Sequence, residues 1–368
     1  MNKYKICHVT SVHPSTDVRI FWKECLSLSK QYEVCLIASN TTERDESGIH
    51  IYNVELPKGR FRRQCCLGKV LKKMIEIDAN VYHLHDPELM RLGIKMKERG
   101  KKVIFDSHED VPMQILCKEY LPSWSKKPIS MFYSWYEKRL FKKYDALISV
   151  TPTITERLSQ VNRATYLVTN YPVLSEYRVS RHESFGGQIC FAGGVSRQYM
   201  HDYVIRALSK TNATYLLAGK SYPGYVESLK KLDGWKQVKY LGVVSHDEVY
   251  SIYEKATAGI VLLDYTANVG YHRGTLGVLK LFEYMMAGIP VIATDFELWK
   301  EIVDEYDCGI CVDPHDIEAI ADAINYFISH PDIARQKGEN GRKAVEEKYN
   351  WGMQEKILFE MYDKILKS

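Results

Sequence analysis

Short apolar runs alternate with amphipathic stretches along almost the whole sequence, and this alternation most constrains the fold. Each run has the length of a buried strand, and the stretch that follows it has helical apolar spacing. A regular succession of strands and helices predicts a parallel sheet with helices on both faces. The runs are YKICHVT, YEVCLIA, VYHLHD, KVIFDS, DALISV and TYLVTN, then QICFAG, ATYLLAG, VKYLG, AGIVLLD, IPVIAT and GICVD.

A single interruption divides this pattern into two parts. Residues 171–187 are polar, contain proline and glycine, and lack helical spacing, which predicts an interdomain linker. The chain of 368 residues is long enough for two cores. We therefore predict an α/β protein of two doubly wound, Rossmann-like domains, 1–170 and 188–347, that face each other across a cleft. A C-terminal helix, 348–368, can cross back to the first domain.

The two halves of the chain have similar strand and helix patterns but differ in net charge. Residues 1–170 hold 28 Lys and Arg against 19 Asp and Glu, whereas residues 171–368 hold 22 against 27. The basic half predicts contact with an anionic surface, unless the imbalance is a chance distribution. We expect neither a membrane-spanning helix nor a signal peptide. Nine scattered cysteines without a CxxC pair fit a reducing cytoplasm.

The candidate site residues of the first half follow its predicted strands, because ligands of doubly wound sheets bind beyond the carboxyl ends of the strands. Two neighbouring strands end in the stretches HLHDPE and DSHEDVP, which are rich in histidine and carboxylate. Two such ends side by side favour a polar cleft over isolated structural histidines. Asp17, after the first strand, caps the next helix or faces the same cleft. The cleft candidates are Asp17, His85, Asp86, His108, Glu109 and Asp110.

In the second half the first strand ends in FAGGVSR. Gly193 and Gly194 would let the backbone approach a ligand closely. Arg197 stands near a helix start, where a cation and free amide groups could hold phosphate. The alternative is a plain glycine turn followed by a surface arginine.

Several common motifs are excluded. The stretch AGKSYPG is not a phosphate-binding P-loop, because Thr214 occupies the place of its first glycine. No GxGxxG follows the first strand, and no DxD pair suggests a metal bound to a diphosphate. The spacing of cysteine and histidine does not indicate zinc. We therefore expect neither a metal nor a cofactor.

Five stretches carry a resemblance to a known family. KLFEYMMAGIPVIATDFELWKEIV resembles the donor-binding segment of family-4 retaining glycosyltransferases of GT-B architecture. DVRIFWKECLSLSK, YHLHDPEL and FDSHEDVP are similar to the N-terminal domains of bacterial polysaccharide-assembly members, and FAGGVS is similar to the start of their nucleotide-binding domain. The segment around Glu283 is the most specific of these.

The resemblance implies roles for individual residues. Glu283 would accept hydrogen bonds from the nucleotide ribose, and His108 would contact the donor sugar. Arg197 would help to neutralise the diphosphate, together with helix amide groups near Gly274-Thr275-Leu276-Gly277, so that no metal is needed. The implied protein is a retaining glycosyltransferase that uses a nucleotide-diphospho-sugar, with UDP-sugar favoured over GDP-sugar. Its acceptor would be a glycan or a lipid diphosphate in cell-surface polysaccharide or lipopolysaccharide assembly.

The sequence departs from the family pattern at three places, one of which is the absence of the glycine-rich first loop that is common in the family. Thr275 replaces an acidic residue that usually faces the donor sugar, and Tyr199-Met200 replaces an Arg-Gly pair. Arg273, Lys280 or Arg197 could supply the missing cation. Two alternatives therefore stay open: a nucleotide-sugar 2-epimerase of the same architecture, and a non-catalytic nucleotide-binding relative.

Two stretches mix basic and apolar residues. One lies between Lys58 and Lys73 and contains no acidic residue; the other is LPSWSKKPISMFYSWYEKRLFKKY. Such mixtures suit an anionic membrane surface or a lipid-diphosphate acceptor, unless the helices bury their aromatic residues. No nucleic-acid motif accompanies them. We expect a cytoplasmic protein that can attach peripherally to the inner face of the plasma membrane. The basic residues of the first stretch are Lys58, Arg60, Arg62, Arg63, Lys69, Lys72 and Lys73.

Overall fold

The chain forms two compact units, each built on its own sheet. The computed structural model describes residues 4–118, 120–174 and 186–367. The first unit comprises Met1–Asn170 with Met353–Ser368, and the second comprises Tyr171–Gly352. Two parallel-sheet α/β domains confirm the predicted fold class. Most of the predicted linker, 171–187, lies outside the described residues.

The first unit contains an eight-stranded sheet in the order β3-β4-β2-β1-β5-β6-β7-β8. All neighbours are parallel except β3 and β4, which pair in antiparallel fashion at the edge. The apolar runs predicted as strands all contain strands, whereas β3 and β4 were not predicted. The strands are β1 (Lys5–Val9), β2 (Glu33–Ser39), β3 (Arg44–Glu46), β4 (Ile49–Val54), β5 (Val81–Leu84), β6 (Lys102–Ser107), β7 (Ala146–Ser149) and β8 (Thr165–Leu167).

The helices of the first unit cover the sheet. Helix α1 begins with a segment of wide π-type turns, Val18–Cys25, and continues as a regular helix, Leu26–Ser29. The last helix, α15, contributes Met353 onward to this unit. The others are α2 (Arg60–Cys65), α3 (Leu67–Ile77), α4 (Met90–Lys97), α5 (Val111–Cys117), α6 (Ser123–Phe141) and α7 (Pro152–Ser159), and α15 spans Trp351–Lys367.

The second unit contains a six-stranded, fully parallel sheet in the order β11-β10-β9-β12-β13-β14. Its strands are β9 (Gln188–Ala192), β10 (Thr214–Ala218), β11 (Val238–Gly242), β12 (Ala258–Val261), β13 (Val291–Thr294) and β14 (Gly309–Val312). Its helices are α8 (His201–Leu208), α9 (Tyr225–Leu229), α10 (His246–Lys255), α11 (Leu279–Ala287), α12 (Glu297–Tyr306), α13 (Ile317–Ser329) and α14 (Pro331–Glu347).

The two sheets differ in what they bury. Both faces of the second sheet carry apolar cores, which explains the nearly continuous apolar strands. In the first unit one face is apolar, with Cys7, Tyr82 and Phe105 in its core. The alternate residues of the same strands point to the opposite face. They include His8 and His83, so this face carries a buried polar layer.

Candidate functional site

The polar layer of the first unit lies at the carboxyl end of its sheet. The strand register pairs His8 of β1 with His83 of β5, and His85 follows two residues later on the same face. Asp106 of β6 is fully buried beside them. Burial lowers the pKa of all three histidines, that of His85 to about 4, so they are neutral imidazoles near pH 7.

Asp106 is the ionised centre of this layer. Arg19 holds it with two hydrogen bonds, from Nε at 2.8 Å and from Nη2 at 3.0 Å. Burial opposes its ionisation, but the charges of Arg19 and His108 hold the pKa of Asp106 well below its usual range. The π-type turns of α1 bring residues five apart onto one face, so Arg19 Nε also lies 3.1 Å from Glu24. Burial and Asp106 raise the pKa of Glu24 well above its usual value.

His108 connects the buried layer to open space. Its Nε2 lies 3.0 Å from Asp106 Oδ2 and 3.1 Å from His85 Nδ1. The side chain is 17% exposed, whereas Asp106 and His85 are inaccessible. The buried carboxylate of Asp106 thus orients the His108 imidazole through Nε2 and leaves Nδ1 for another contact. An imidazole oriented in this way suits a precise polar contact with a ligand.

Asp86 and Asp17 organise the loop after β1. Asp86 Oδ2 accepts hydrogen bonds from the Thr10 hydroxyl at 2.8 Å and the Ser11 backbone N–H at 2.6 Å. Asp17 caps α1 by accepting from two backbone N–H groups of its first turn. His13 lies 3.6 Å from Asp17 and 3.4 Å from Asp86, and so ties the two carboxylates together. Both were predicted as cleft residues, and both serve here as loop anchors.

The remaining two cleft candidates diverge. Glu109 is exposed, accepts a hydrogen bond from Gln114 and lines the cavity described next. Asp110 caps α5 through the Met113 backbone N–H at 3.3 Å and pairs with Arg157 at 3.2 Å. Asp110 does not belong to the cavity lining.

A cavity of about 680 Å³ opens beside His108 in the first unit. His85, Asp86 and Glu88 form its polar end, and Arg60 contributes a cation. Helix α6 forms one apolar wall through Ile129 and Tyr133. The aromatic residues of α6 are divided between core and surface: Phe141 is fully buried, and Tyr133 and Tyr136 pack against the core. Its exposed aromatic side chains are Trp124 (81%), Phe132 (67%) and Trp135 (55%).

In the second unit Glu283 lies in the second turn of α11. Its Oε2 accepts a hydrogen bond from the Tyr253 hydroxyl at 2.8 Å and pairs with Lys280 Nζ at 2.5 Å. The Glu283 side chain is 19% exposed. The helix is otherwise apolar, with Phe282 and Met285 fully buried. Glu283 therefore stands at the edge of the core, partly accessible and already paired with a cation.

The loop after β9 lies against the same helix. A Cβ added at Gly193 would stand 3.1 Å from Lys280 Cε, so the predicted Gly193 and Lys280 are brought together. Gly194 has open space at this position. Arg197 is exposed, and its guanidinium lies over the Tyr225 ring at 5.7 Å.

The segment before α11 corrects one expectation. Residues 274–277 were predicted as the first helical turn, but α11 begins at Leu279 and the segment forms a loop. Gly274 has a φ of 79° and packs on Phe296, which only glycine allows. The carbonyl of Thr275 accepts from Trp299 Nε1 at 2.6 Å, and its hydroxyl accepts from the Gly277 backbone N–H at 3.1 Å.

Other predicted residues flank this loop. Leu276 is buried, Gly277 is exposed, and Arg273 is half-buried in the short turn Tyr271–Arg273. No side chain caps α11, so its first-turn amide groups have no side-chain acceptor. Tyr199, which replaces the family arginine, packs against Phe191 with ring centroids 4.8 Å apart.

Sequence reasoning missed four polar residues of these sites. His8 and Glu24 lie in stretches that read as an ordinary buried strand and an ordinary amphipathic helix. Arg19 was read as part of the same helix. The available signal was the stretch RIFWKE, residues 19–24, in which the charged Arg19 and Glu24 stand on either side of three large apolar residues and Lys23. Tyr253 gave no local signal, because its partner Glu283 is thirty residues away.

Comparisons with known proteins match both units. The Glycosyltransferase Family 4 model matches residues 23–167, and the Glycosyl transferases group 1 model matches residues 179–344. An uncharacterised glycosyltransferase of Methanocaldococcus jannaschii is 28% identical over 187 residues, which cover 48% of this chain and 46% of that relative. The match thus spans less than half of the relative's own length.

Solved structures match over the whole length. A sucrose-phosphate synthase from Thermosynechococcus elongatus has a TM-score of 0.78 at 16% identity, covering 99% of this chain and 100% of that one. Anabaena HepE in complex with UDP-glucose has a TM-score of 0.71 at 14% identity, covering 98% and 99%.

The two parallel-sheet domains and the matches define the class of the molecule, which is that of the GT-B glycosyltransferases. Within this class of transferases, the chain belongs to the family-4 glycosyltransferases.

Proposed function

We propose that this protein transfers a sugar, with retention of anomeric configuration, from a nucleotide-diphospho-sugar to a glycan or lipid-linked acceptor of a cell-surface polysaccharide or lipopolysaccharide. The observation that carries the donor half is Glu283. A carboxylate offers acceptors to both hydroxyls of a ribose, and Tyr253 and Lys280 hold it at an accessible edge of the core. HepE, which shares the fold, forms a complex with UDP-glucose, so UDP-sugars are the first donors to test.

The diphosphate would be neutralised without a metal. Lys280 lies against the Gly193 loop, and the first-turn amide groups of α11 have no side-chain cap. A cation and free helix amides together favour a phosphate group. Arg197 and Arg273 are the further cations proposed for this step.

The acceptor half rests on the first unit. The cavity beside His108 combines cations, among them Arg60, with the apolar wall of α6. A lipid diphosphate offers the matching combination of anionic head and apolar chain. The exposed Trp124 and Phe132 on α6 would enter the membrane interface, where aromatic residues are favoured. None of the described helices is long and apolar enough to span a bilayer. We place the protein peripherally on the cytoplasmic face.

A panel of UDP- and GDP-sugars with a membrane extract as acceptor source tests this function. We expect release of nucleoside diphosphate with at least one donor, and only when the extract is present. Conversion of the donor to its 2-epimer without acceptor would instead establish the epimerase alternative. Nucleotide binding without turnover of any donor would establish the non-catalytic alternative.

A further inference from the structure

A second cluster in the first unit lies behind the cavity and shares only His85 with its lining. His8, Glu24, His83 and His85 converge behind His108, and all four are at most 2% exposed. The register of β1 and β5 puts His8 beside His83, and the wide turns of α1 bring Glu24 over them. Wide π-type turns occur frequently at functional sites.

The distances from Glu24 to the three histidines are too long for direct hydrogen bonds but short for a common ligand. Glu24 Oε2 lies 3.8 Å from His8 Nδ1 and 3.9 Å from both His83 Nε2 and His85 Nε2. Only His8 Nδ1 and His85 Nε2 contact each other, at 2.9 Å. Glu24 Oε2 and His83 Nε2 have no hydrogen-bond partner among the described residues. Orphaned polar atoms in a core are costly unless something satisfies them.

A metal ion satisfies this arrangement. Ligands at about 2.0–2.2 Å from a tetrahedral Zn²⁺ stand about 3.3–3.5 Å apart, and these four atoms stand 2.9 to 3.9 Å apart along the distances given above. All four lie within 4.8 Å of one another. Three imidazole nitrogens and one carboxylate oxygen form a ligand set that zinc accepts.

The outer contacts also resemble those of metal ligands. His83 Nδ1 lies 2.9 Å from the Tyr362 hydroxyl, and His85 Nδ1 lies 3.5 Å from Asp106 Oδ2. Arg19 lies 3.1 Å from the other oxygen of Glu24. Such partners fix the orientation of ligating side chains.

We propose that His8, Glu24, His83 and His85 form a buried structural zinc site in the first unit. The ion joins β1, α1 and β5, and it orients His85, whose Nδ1 contacts His108. The site is closed, because the protein supplies all four ligands and each is buried. Sequence spacing gave no sign of it, since the fold brings together ligands from positions 8, 24, 83 and 85.

The first test measures bound metal directly. The full chain is purified without chelator, equilibrated with excess Zn²⁺, freed of unbound ion and analysed by elemental mass spectrometry. We expect about one zinc per chain, as for a single closed site. A content near zero after equilibration overturns the proposal. The measurement requires no sugar transfer, so its result is independent of the proposed function.

Matched substitutions then locate the ion. Glu24→Gln and His83→Gln should lose the bound zinc. Glu137→Gln and His201→Gln change residues that are equally buried but outside the cluster, and should keep it. Zinc retained in both ligand variants overturns the proposed ligand set.

Cobalt provides a readout that does not depend on the folding of any variant. The parent chain, freed of metal and loaded with Co²⁺, should show the intense visible absorption of tetrahedral coordination, with no thiolate charge-transfer band. The weak spectrum of octahedral cobalt, or a thiolate band, overturns the site as proposed.

Discussion

At the residue scale, hydrogen bonds and ion pairs with neighbouring side chains fix the orientation of Glu283 and of His108. Glu283 has two partners of its own, Tyr253 and Lys280, and remains partly exposed. His108 is held by Asp106, which is in turn held by Arg19. In both places a buried or half-buried contact fixes the orientation of a group that can still reach a ligand.

Replacing Glu283 with Gln should weaken UDP binding by about 1.5–3 kcal/mol, the scale of hydrogen bonds to a charged group. The glutamine amide keeps the shape but offers one acceptor oxygen instead of two, and it leaves Lys280 without its charge partner. Titration calorimetry with UDP measures the change. Glu301→Gln, on the exposed side of α12, is the matched control. Equal affinity of the Glu283 variant and the parent would show that Glu283 does not contact the nucleotide.

His108→Ala should lower turnover on the order of 10²-fold, the scale for a lost preorganised hydrogen-bond donor, while UDP affinity stays close to that of the parent. The proposed contact is to the reacting sugar and not to the nucleotide. Steady-state rates with saturating donor, compared with calorimetry, separate the two effects. The control is His50→Ala. His50 lies on strand β4 and pairs with Asp45 of strand β3. A variant with parental turnover would remove His108 from the site.

At the element scale, the loop between β1 and α1 contains a histidine, His13, that lies between the carboxylates of Asp17 and Asp86. The contact with Asp17 raises the pKa of His13 above its usual value, although burial acts in the opposite direction. Burial also opposes ionisation of Asp17, but His13 and the Ile20 backbone N–H lower the pKa of Asp17 to about 2. Asp17 therefore stays ionised at all pH values where His13 titrates.

Because the folded pKa of His13 is raised, its contribution to stability is complete below the unfolded value of about 6.5 and disappears as pH rises through the folded value. His13→Asn should therefore lower the melting temperature more at about pH 5.5 than at about pH 9. Calorimetric melting curves of parent and variant at both pH values give this difference. His330→Asn, on an exposed helix end, is the matched control. An effect of His13→Asn that is the same at both pH values would contradict the assignment.

Helices α2 and α3 carry the basic residues that we propose for contact with a membrane. Arg63 forms an ion pair with Glu88 at 2.6 Å, and Lys73 forms one with Glu76 at 3.1 Å. These two residues are therefore kept in the variant described next. Neutral replacements of the exposed residues should reduce binding to anionic vesicles by about 1 kcal/mol for each residue that reaches the surface. The replaced residues are Arg60, Arg62, Lys69 and Lys72.

The control for this experiment replaces four exposed lysines of the second unit. Sedimentation with vesicles containing phosphatidylserine, at low and high salt, measures both proteins. Loss of binding confined to the first variant supports the membrane surface. Equal binding by both variants and the parent would exclude it. The control residues are Lys230, Lys231, Lys236 and Lys239.

Elements were predictable from the sequence where the apolar pattern is local. The three-residue β3 forms the sheet edge and β4 lies next to it. Both carry a weaker pattern, because β3 has no apolar residue and His50 and Asn53 interrupt the apolar residues of β4. The family resemblance placed the first turn of α11 near residues 274–277, whereas Phe296 and Trp299 hold Gly274 and Thr275 in a loop. The cluster of His8, Glu24 and His83 was not predictable, because sheet register and not sequence spacing brings it together.

At the scale of the whole molecule, the proposed donor residues belong to one unit and His108 to the other. UDP binding should stabilise the second unit by about 2.7 kcal/mol at a hundredfold excess over Kd. Hydrogen exchange should therefore show protection in peptides that contain Gly193, Lys280 and Glu283, and less change around β1 and β5. The Glu283→Gln variant at the same UDP concentration is the control. Protection confined to the first unit would reverse the proposed assignment of the two halves.

The discontinuity of the first unit bears on biosynthesis. Its final helical segment, Met353–Ser368, is translated after the entire second unit. Until then the nascent first unit lacks Tyr362 beside His83, Asp363 beside Tyr32 and Gln354 beside the Thr169 backbone. At about 5–20 residues per second, nearly two hundred codons delay its completion by roughly 10–40 s. Truncation of the chain after Gly352 would thus damage the first unit, although the sheet of that unit is translated before the second unit.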